Sequence, residues 1–582
     1  MVASSWEMTA GRSQEGGADV VARAYGACVR GELMRVLGVN AVFHDPAAAL
    51  VIDGEIVAAA EEERFSRRKH GKRPVPFSTW ELPEKAAAWC LKEAGLTPED
   101  LDAVAYSYEP RLARQPGSDI TVDEWEGLRT LFAERAARFL RAALPGLDPR
   151  VVEFVPHHVA HAASAYLSAP FSSTGVLVLD GRGERATHLS GRAVEGNLEV
   201  LASTSMPHSL GLWYEDLTDH LGFLRSSDEY KVMALAAYGK PRWLADFRQR
   251  VRVLDDGTFL TEPVAWSRYA RRAQRDEELS EAHADLAASV QARLEEVLLE
   301  LARWMRARTG ERRLVMAGGV ALNCVANSRL AEEGPFESLW VQPASGDSGT
   351  ALGAALYVAH ARGDRVQPMT TAAIGRGFSE DELRQDLERA KVPYRRPKDL
   401  ADDVADLLAR DAVIAWFQGR SEYGPRALGH RSLIADPRQA ANLERMNDIK
   451  GREQFRPIAP IVLAERASEI FEGPLPSPYM LFTHRVRPAW RDRIPAVVHV
   501  DGTARIQTVE RDSEPLLHRL LERFAARTGV PVLVNTSLNT AGRPMVDDAR
   551  DALECFASSP IDALALGPFL TERGLLFRSG GA

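Results

Sequence analysis

Two separated stretches of the chain repeat one plan, and that repetition constrains the fold more than any other feature. "RVLGVNAVFHDPAAALVIDGEIVAAAEEERFSRRKH" opens on an apolar run, Val36 to Phe43, and turns at His44-Asp45-Pro46. Two β-rich pieces follow, joined by Asp53-Gly54, a hairpin signal between apolar runs. "TGVLVLDGRGERATHLSGRAVEGNLEVLAS" does the same: strand, Asp180-Gly181 turn, strand, Glu-Gly turn, strand. Two such units in one domain imply an internal duplication. Helical segments lie between and after them. In Ala284 to Ala307, leucines and valines recur at three- and four-residue spacing.

At 582 residues the chain is too long for one core, so at least two domains are expected. After "ARGDRVQPMTTAAIGRGF" the composition becomes loop-like, which places the boundary near residue 370 and gives domains 34–370 and 371–582. Residues 1–33 lack the apolar core of a signal peptide and are expected to be a poorly ordered extension. A hydrophobic fraction of 45% with 26% charged residues excludes a disordered chain. No apolar run approaches the ~18 residues of a membrane span. A net charge of −9 disfavours a general nucleic-acid binder and leaves only a local basic pocket open. Cys28, Cys90, Cys324 and Cys555 are scattered and form no CxxC pair. Neither a zinc ribbon nor a disulfide framework is indicated, and a reducing cytoplasm fits.

"VPHHVAHAASAY" holds His157, His158 and His161. His157 and His161 share a helical face, while His158 points about 100° away. Two imidazoles one turn apart can share a metal if one or two further ligands arrive. Asp180 and Asp347, both at strand-to-helix edges, are candidates. The alternative is a buried helix whose histidines satisfy backbone carbonyls, and spacing alone leaves both open. "MAGGVALN" and "SGDSGTALG" place small residues where a strand meets a helix. Bare N–H groups there can approach phosphate or adenosine, or glycine can simply permit tight packing. "DEYKVMALAAYGKP", with Glu229 and Lys231, is either a solvated amphipathic helix or a ligand contact.

The last third is rich in loop cations. "QGRSEYGPRALGHRS" holds Arg420, Arg426 and Arg431; "NDIKGREQFRP" holds Lys450, Arg452 and Arg456; "DGTARIQT" holds Arg505. "NTSLNTAGRP" adds Asn535, Ser537, Asn539 and Arg543. Guanidinium forks match phosphate and carbamate oxygens, so the cluster favours an anion pocket. Taken singly, each arginine could be a surface residue paired with a neighbour such as Glu422 or Glu453.

These motifs, with "FHDPAAAL", "EEERFSRRKH", "GDSGTALGAAL", "FRPIAPIV" and the rest in order from Met34 almost to the C-terminus, resemble the O-carbamoyltransferases of antibiotic and nodulation-factor biosynthesis. The resemblance implies an α/β protein. Its N-terminal domain would be of the duplicated actin/hexokinase type, similar to the catalytic subunit of tRNA threonylcarbamoyladenosine synthesis. Its C-terminal α/β domain would be similar to the carbamoyl-adenylate-forming partner of that pathway. It implies metal ligation by His157, His161 and Asp347, with Asp180 as fourth ligand. Iron(II) is the implied metal, and His/Asp ligation leaves zinc and manganese open. It further implies ATP, as a magnesium complex, and carbamoyl phosphate as carbamoyl donor. Gly181, Glu229, Lys231, Gly318, Gly319, Asn323 and Gly346 would contact nucleotide in the first domain. Arg426, Lys450, Arg456, Arg505, Asn535, Ser537 and Asn539 would hold carbamoyl phosphate and ATP in the second. Carbamoyl adenylate would form there, with release of pyrophosphate and phosphate, and pass to the first domain. His44 would take the proton from the acceptor hydroxyl and AMP would leave. The implied acceptor is an aminoglycoside such as tobramycin or kanamycin, which the acidic segments "DEWEGL" and "SSDEY" would suit. A homodimer is compatible; nucleic acid and membrane partners are not expected. Two other readings carry different products. A sugar kinase on the same fold would leave ADP, and a non-catalytic ATP-gated binding protein would consume no carbamoyl phosphate.

Overall fold

The structure is a computed structural model that describes residues 33–71, 81–113, 124–275, 277–540 and 542–576. The expected N-terminal extension lies outside the described residues, apart from Leu33. From Met34 onward the chain packs as one compact unit.

The duplication is visible in the sheets. The first comprises β1 (Arg35–Asn40), β2 (Ala47–Ile52), β3 (Glu55–Glu61), β4 (Ala103–Tyr106) and β5 (Val152–Phe154), in the order β3-β2-β1-β4-β5. Its first three strands form an antiparallel meander, and β4 and β5 join β1 in parallel. The second sheet uses β6 (Ser173–Leu179), β7 (Ala186–Val194), β8 (Asn197–Ser205), β9 (Arg313–Ala317) and β10 (Ser338–Val341). Its order is β8-β7-β6-β9-β10, with the same antiparallel meander and the same two parallel additions. This twice-used plan is the duplicated actin/hexokinase-type arrangement. Both meanders close through left-handed turns, Asp53-Gly54 (φ 50 and 76) and Glu195-Gly196 (φ 48 and 78). That is the geometry that selects glycine at the second turn position.

Five helices frame the site: α1 (His157–Tyr166), α2 (Glu229–Ala236), α3 (Glu281–Thr309), α4 (Cys324–Glu333) and α5 (Ser348–Ala361). The periodic run from Ala284 lies within α3, which starts at the Ser280 cap and stops at left-handed Gly310. α1 and α5 cross closely because their contact is built from alanine and glycine. A Cβ on Gly353 would stand 1.8 Å from the Ala160 carbonyl oxygen. Each helix therefore brings its N-terminal metal-candidate residues, His157 and Asp347 respectively, to one place.

The five-stranded sheets end at Val341, and a seven-stranded sheet begins at Ile414. It comprises β11 (Ile414–Phe417), β12 (Arg431–Ala435), β13 (Ala459–Leu463), β14 (Gln507–Val509), β15 (Val532–Ser537), β16 (Ala563–Leu566) and β17 (Phe569–Glu572). Its order is β14-β13-β15-β12-β11-β16-β17. A single apolar core runs from Val36 and Ala160 through Ile374 to Trp416 and Leu566. No described helix is long and apolar enough to cross a membrane.

Candidate functional site

Four buried side chains meet where α1, the end of β6 and the start of α5 converge. His157 Nε2 lies 3.7 Å from Asp180 Oδ2 and 3.6 Å from Asp347 Oδ1. His161 Nε2 lies 3.8 Å and 3.5 Å from the same two oxygens. Ligand atoms arranged tetrahedrally around one cation at ~2.1 Å would stand ~3.4 Å apart, so the spacing fits a shared ion. Hydrogen bonding supports the same fit. His157 Nδ1–H donates to the Ser107 carbonyl at 3.1 Å, which leaves Nε2 as the lone-pair nitrogen. His157 Nε2, His161 Nε2 and both Asp347 oxygens are buried without a hydrogen-bond partner among the described residues. Orphaned donors and acceptors of this kind are costly unless something else satisfies them. Burial opposes charge on His157, yet the carboxylates hold it well above its ordinary range. Asp347 is drawn well below the usual carboxylate range against its burial, by His44 and His157; Asp180 is lowered likewise, by His157 and His161. His158 faces away, where burial pushes it down to about 3.

His44 stands at the rim of this quartet, its Nε2 3.7 Å from Asp347 Oδ2. Its Nδ1–H donates to Asp45 Oδ2 at 2.9 Å. The other Asp45 oxygen takes the Nδ1–H of His70 at 2.7 Å, and His70 Nε2 accepts from the Ser227 hydroxyl at 3.1 Å. Burial opposes the Asp45 charge, but both imidazoles overcome it and hold this carboxyl below the usual range. The chain fixes the His44 ring with Nε2 turned toward the quartet. Asp45 and His70 were not singled out by sequence, although the adjacency of His44 and Asp45 was a signal available to it. Asp45, Glu63 and His70 also lie close enough to share an ion. Their polar atoms are engaged with one another, so the group orients His44 without needing one.

The small-residue edges surround the same point. Gly319 N–H donates to Asp180 Oδ1 at 2.8 Å, and Gly318 N–H to the Ser345 carbonyl at 2.8 Å. Gly181 and Gly346 border open space, since an added Cβ would meet nothing closer than 3.7 Å and 3.8 Å. Two of the nucleotide candidates have other occupations. Asn323 caps α4 by accepting from Ala326 N–H, and its amide exchanges hydrogen bonds with Gln291. Lys231 is paired with Glu453 at 2.8 Å and Asp228 at 3.1 Å. Glu229 accepts the Ser226 N–H, and burial with neighbouring Glu215 pushes its carboxyl up to about 7. The segment Ser226–Tyr230 thus presents acidic groups beside His70 and His44. In "DEWEGL", the side chains through Glu126 lie outside the described residues.

The second half supplies a positive pocket. Lys450 is buried; its Nζ donates to the Ser537 carbonyl (2.6 Å), Ser537 Oγ (3.0 Å) and Asn539 Oδ1. Burial, then Arg452 and Arg456, holds it well below the ordinary lysine range. Arg426 is pushed down to about 9 by burial and by Arg505. Arg452, which the sequence reading had not carried into the site, is brought to about 9 by burial and by Arg456. Among the described residues no carboxylate pairs with Arg426, Lys450, Arg452 or Arg505. Arg426 Nε and Arg505 Nε are buried without hydrogen-bond partners. Asn535 Nδ2 donates to the Ala427 carbonyl and Gln507, leaving its Oδ1 unmatched. Arg456 alone has a carboxylate, Glu453 at 3.5 Å, and lies over the Tyr230 ring at 4.6 Å. The other loop arginines are structural. Arg420 binds carbonyls of Val57, Ile374 and Gly375; Arg431 is buried over Phe417; Arg543 pairs with Glu554. Glu422, a suggested counter-ion, instead accepts three backbone N–H groups from Leu428, His430 and Arg431.

The pocket and the quartet are neighbours. Arg426 donates to the Leu322 carbonyl at 3.4 Å, and Tyr423 O–H to the carbonyl of Ser348, which follows Asp347.

Residues 35–115 and 128–356 match the family described as carbamoyltransferase N-terminus, and residues 405–573 match carbamoyltransferase C-terminus. Nodulation protein NolNO of Sinorhizobium fredii is 38% identical over 559 residues, covering 92% of this chain and 80% of its own. Nodulation protein NolO of Bradyrhizobium diazoefficiens is 40% identical over 434 residues, covering 72% of this chain and 78% of its own. Among solved structures, HypF of T. kodakarensis is similar over 57% of this chain and 48% of its own, with a TM-score of 0.37 and 15% identity. With both family segments present in order and full-length relatives at this identity, the chain belongs to the carbamoyltransferase family.

Proposed function

We propose that the protein is an ATP-dependent O-carbamoyltransferase that divides its chemistry at about residue 370. The second half builds carbamoyl adenylate and the first half spends it. The observation that carries the reading is the group Arg426, Lys450, Arg452 and Arg505, part-buried or buried and without carboxylate partners among the described residues. Such a group is stable only with anions to meet it. Carbamoyl phosphate and the triphosphate of ATP supply them, and the positive field offsets repulsion between two phosphate-bearing reactants. One water cleaves carbamoyl phosphate to carbamate and phosphate. The carbamate oxygen then attacks the α-phosphorus and pyrophosphate leaves. Arg456, Asn535, Ser537 and Asn539 line the same pocket and orient these groups.

In the first half, Gly181, Gly318, Gly319 and Gly346 let the adenylate approach the backbone beside Asp180. His157, His161, Asp180 and Asp347 would hold a divalent cation, iron(II) by our reading, with zinc and manganese chemically compatible. When bound, that ion supplies Lewis-acid polarisation. His44, oriented by Asp45, takes the proton from the acceptor hydroxyl at Nε2. The acceptor oxygen bonds to the carbamoyl carbon and AMP is expelled. The acidic groups Glu215 and Glu229 beside this position favour a cationic amino sugar, an aminoglycoside such as tobramycin or kanamycin.

The test is an incubation with ATP, carbamoyl phosphate and a panel of aminoglycosides, read by nucleotide products and product mass. Pyrophosphate, AMP and a carbamoylated antibiotic are expected. ADP as the only nucleotide product indicates a sugar kinase, and no turnover indicates a binding protein; either overturns the proposal.

A further inference from the structure

The loop that carries Arg426 is held from the opposite half of the chain. Glu422 closes its base by accepting the N–H groups of Leu428 (2.7 Å), His430 (2.9 Å) and Arg431 (3.1 Å). At its tip, both backbone polar groups of Gly424, its N–H and its carbonyl, are taken by one ion pair. Glu61 Oε1 accepts Gly424 N–H at 2.7 Å, and Arg64 NH2 donates to the Gly424 carbonyl at 3.0 Å. Glu61 and Arg64, at the end of β3 and just beyond it, are joined at 3.3 Å with side chains 8% and 2% exposed. Gly424 has φ +113, and a Cβ there would stand 2.8 Å from the Pro343 carbonyl oxygen, so the tip also seats on the turn leading to Asp347. Tyr423 adds its bond to the Ser348 carbonyl.

A buried ion pair is weak support for stability, because desolvation consumes most of the Coulombic gain. This one directs a carboxylate oxygen and a guanidinium N–H to the backbone of a single residue, Gly424, two positions before Arg426. We infer that Glu61 and Arg64 are positioning residues for the anion pocket: they fix the backbone on both sides of Gly424 and thereby aim Arg426 beside Arg505. The inference rests on the reading that Arg426 meets carbamoyl phosphate or ATP. Its consequence is that a motif of the first half, "EEERFSRRKH", governs binding in the second.

The experiment uses the full chain and a double-mutant cycle between Arg64→Lys and Arg426→Ala, with pyrophosphate release as readout. Lysine keeps the charge but loses the fork that reaches Glu61 and the Gly424 carbonyl together. Arg64→Lys is expected to raise the KM for carbamoyl phosphate or ATP about tenfold, with kcat changed less than about threefold. In the Arg426→Ala background the same substitution should change KM by less than about twofold, since its effect is already spent. Glu61→Gln, which keeps an acceptor for Gly424 N–H, should fall between wild type and Arg64→Lys. Equal KM effects of Arg64→Lys in both backgrounds would overturn the inference, as would a normal KM in Arg64→Lys. If Arg64→Lys does not fold, the Glu61→Gln and Arg426→Ala cycle carries the same decision. A wild-type chain that releases no pyrophosphate fails the functional reading instead, and the two failures are distinct.

Discussion

Replacing Lys450 by methionine removes one cation from the pocket while keeping most of its volume. The Lys450 ammonium donates to Ser537 and Asn539 and is flanked by Arg452 and Arg456. Two unit charges ~4 Å apart at an effective dielectric of ~20 interact by about 4 kcal/mol. Part of that is forfeited here, because burial and two guanidinium neighbours already disfavour the charged form. A net loss of about 2–3 kcal/mol remains, or about 30- to 160-fold in kcat/KM for carbamoyl phosphate. Stability should move little, since burial already disfavours the charged amine and the loss of its hydrogen bonds to Ser537 and Asn539 is offset by removing a polar group from a buried site. The assay is coupled pyrophosphate release under varied carbamoyl phosphate, with a thermal melt alongside. A kcat/KM within about threefold of wild type, in a protein melting normally, would refute the assignment of this pocket to the anionic reactants.

Other outcomes follow from the same geometry. Asp347→Asn should cut the bound divalent metal, measured by elemental analysis after dialysis, and should slow carbamoyl transfer about 100-fold or more while pyrophosphate release persists. His44→Ala should lower kcat for transfer about 10²- to 10⁴-fold, in mass-detected product formation, without removing metal. Lys450 is depressed in the free protein, so an anion that restores its charge must bring protons with it. Binding of sulfate, followed by calorimetry in buffers of different ionisation enthalpy as the pH is raised toward the ordinary lysine range, should show net proton uptake, and net release throughout would contradict this. Gly353→Ala drives a methyl against the Ala160 carbonyl; it should destabilise by about 3 kcal/mol or more in a denaturant melt.

The duplicated sheets were legible because turn chemistry marks them: Asp53-Gly54 and Glu195-Gly196 punctuate two meanders of the same length class. Half of the quartet was legible from helical spacing, since His157 and His161 stand one turn apart. Asp180 and Asp347 were candidates only by their place at strand-to-helix edges, and their ligand role came with the family resemblance, because no local periodicity links a β6 exit to an α5 entrance. What sequence could not rank were residues of equal type. Arg420, Arg426 and Arg431 look alike in one motif, yet Arg420 and Arg431 each spend their forks on several carbonyls, while Arg426 makes one long carbonyl bond and keeps a buried Nε without a partner among the described residues. Arg452 was visible in "NDIKGREQFRP" but nothing local separated it from a solvated arginine. Asn323 and Lys231 show the converse, being attractive as ligand contacts while their polar atoms serve a helix cap and an ion pair. The seven-stranded sheet order, mixing parallel and antiparallel neighbours, depends on long-range pairing that no window of sequence encodes.

The most direct test of the central claim traps the shared intermediate. The full chain is mixed with ATP labelled at the α-phosphate and carbamoyl phosphate labelled at the carbonyl carbon, with no acceptor, and quenched within milliseconds. One compound carrying both labels is expected, formed with equimolar pyrophosphate and consumed when an acceptor alcohol is added. Labels that never join, with acceptor carbamoylated or phosphorylated at full rate, would contradict it.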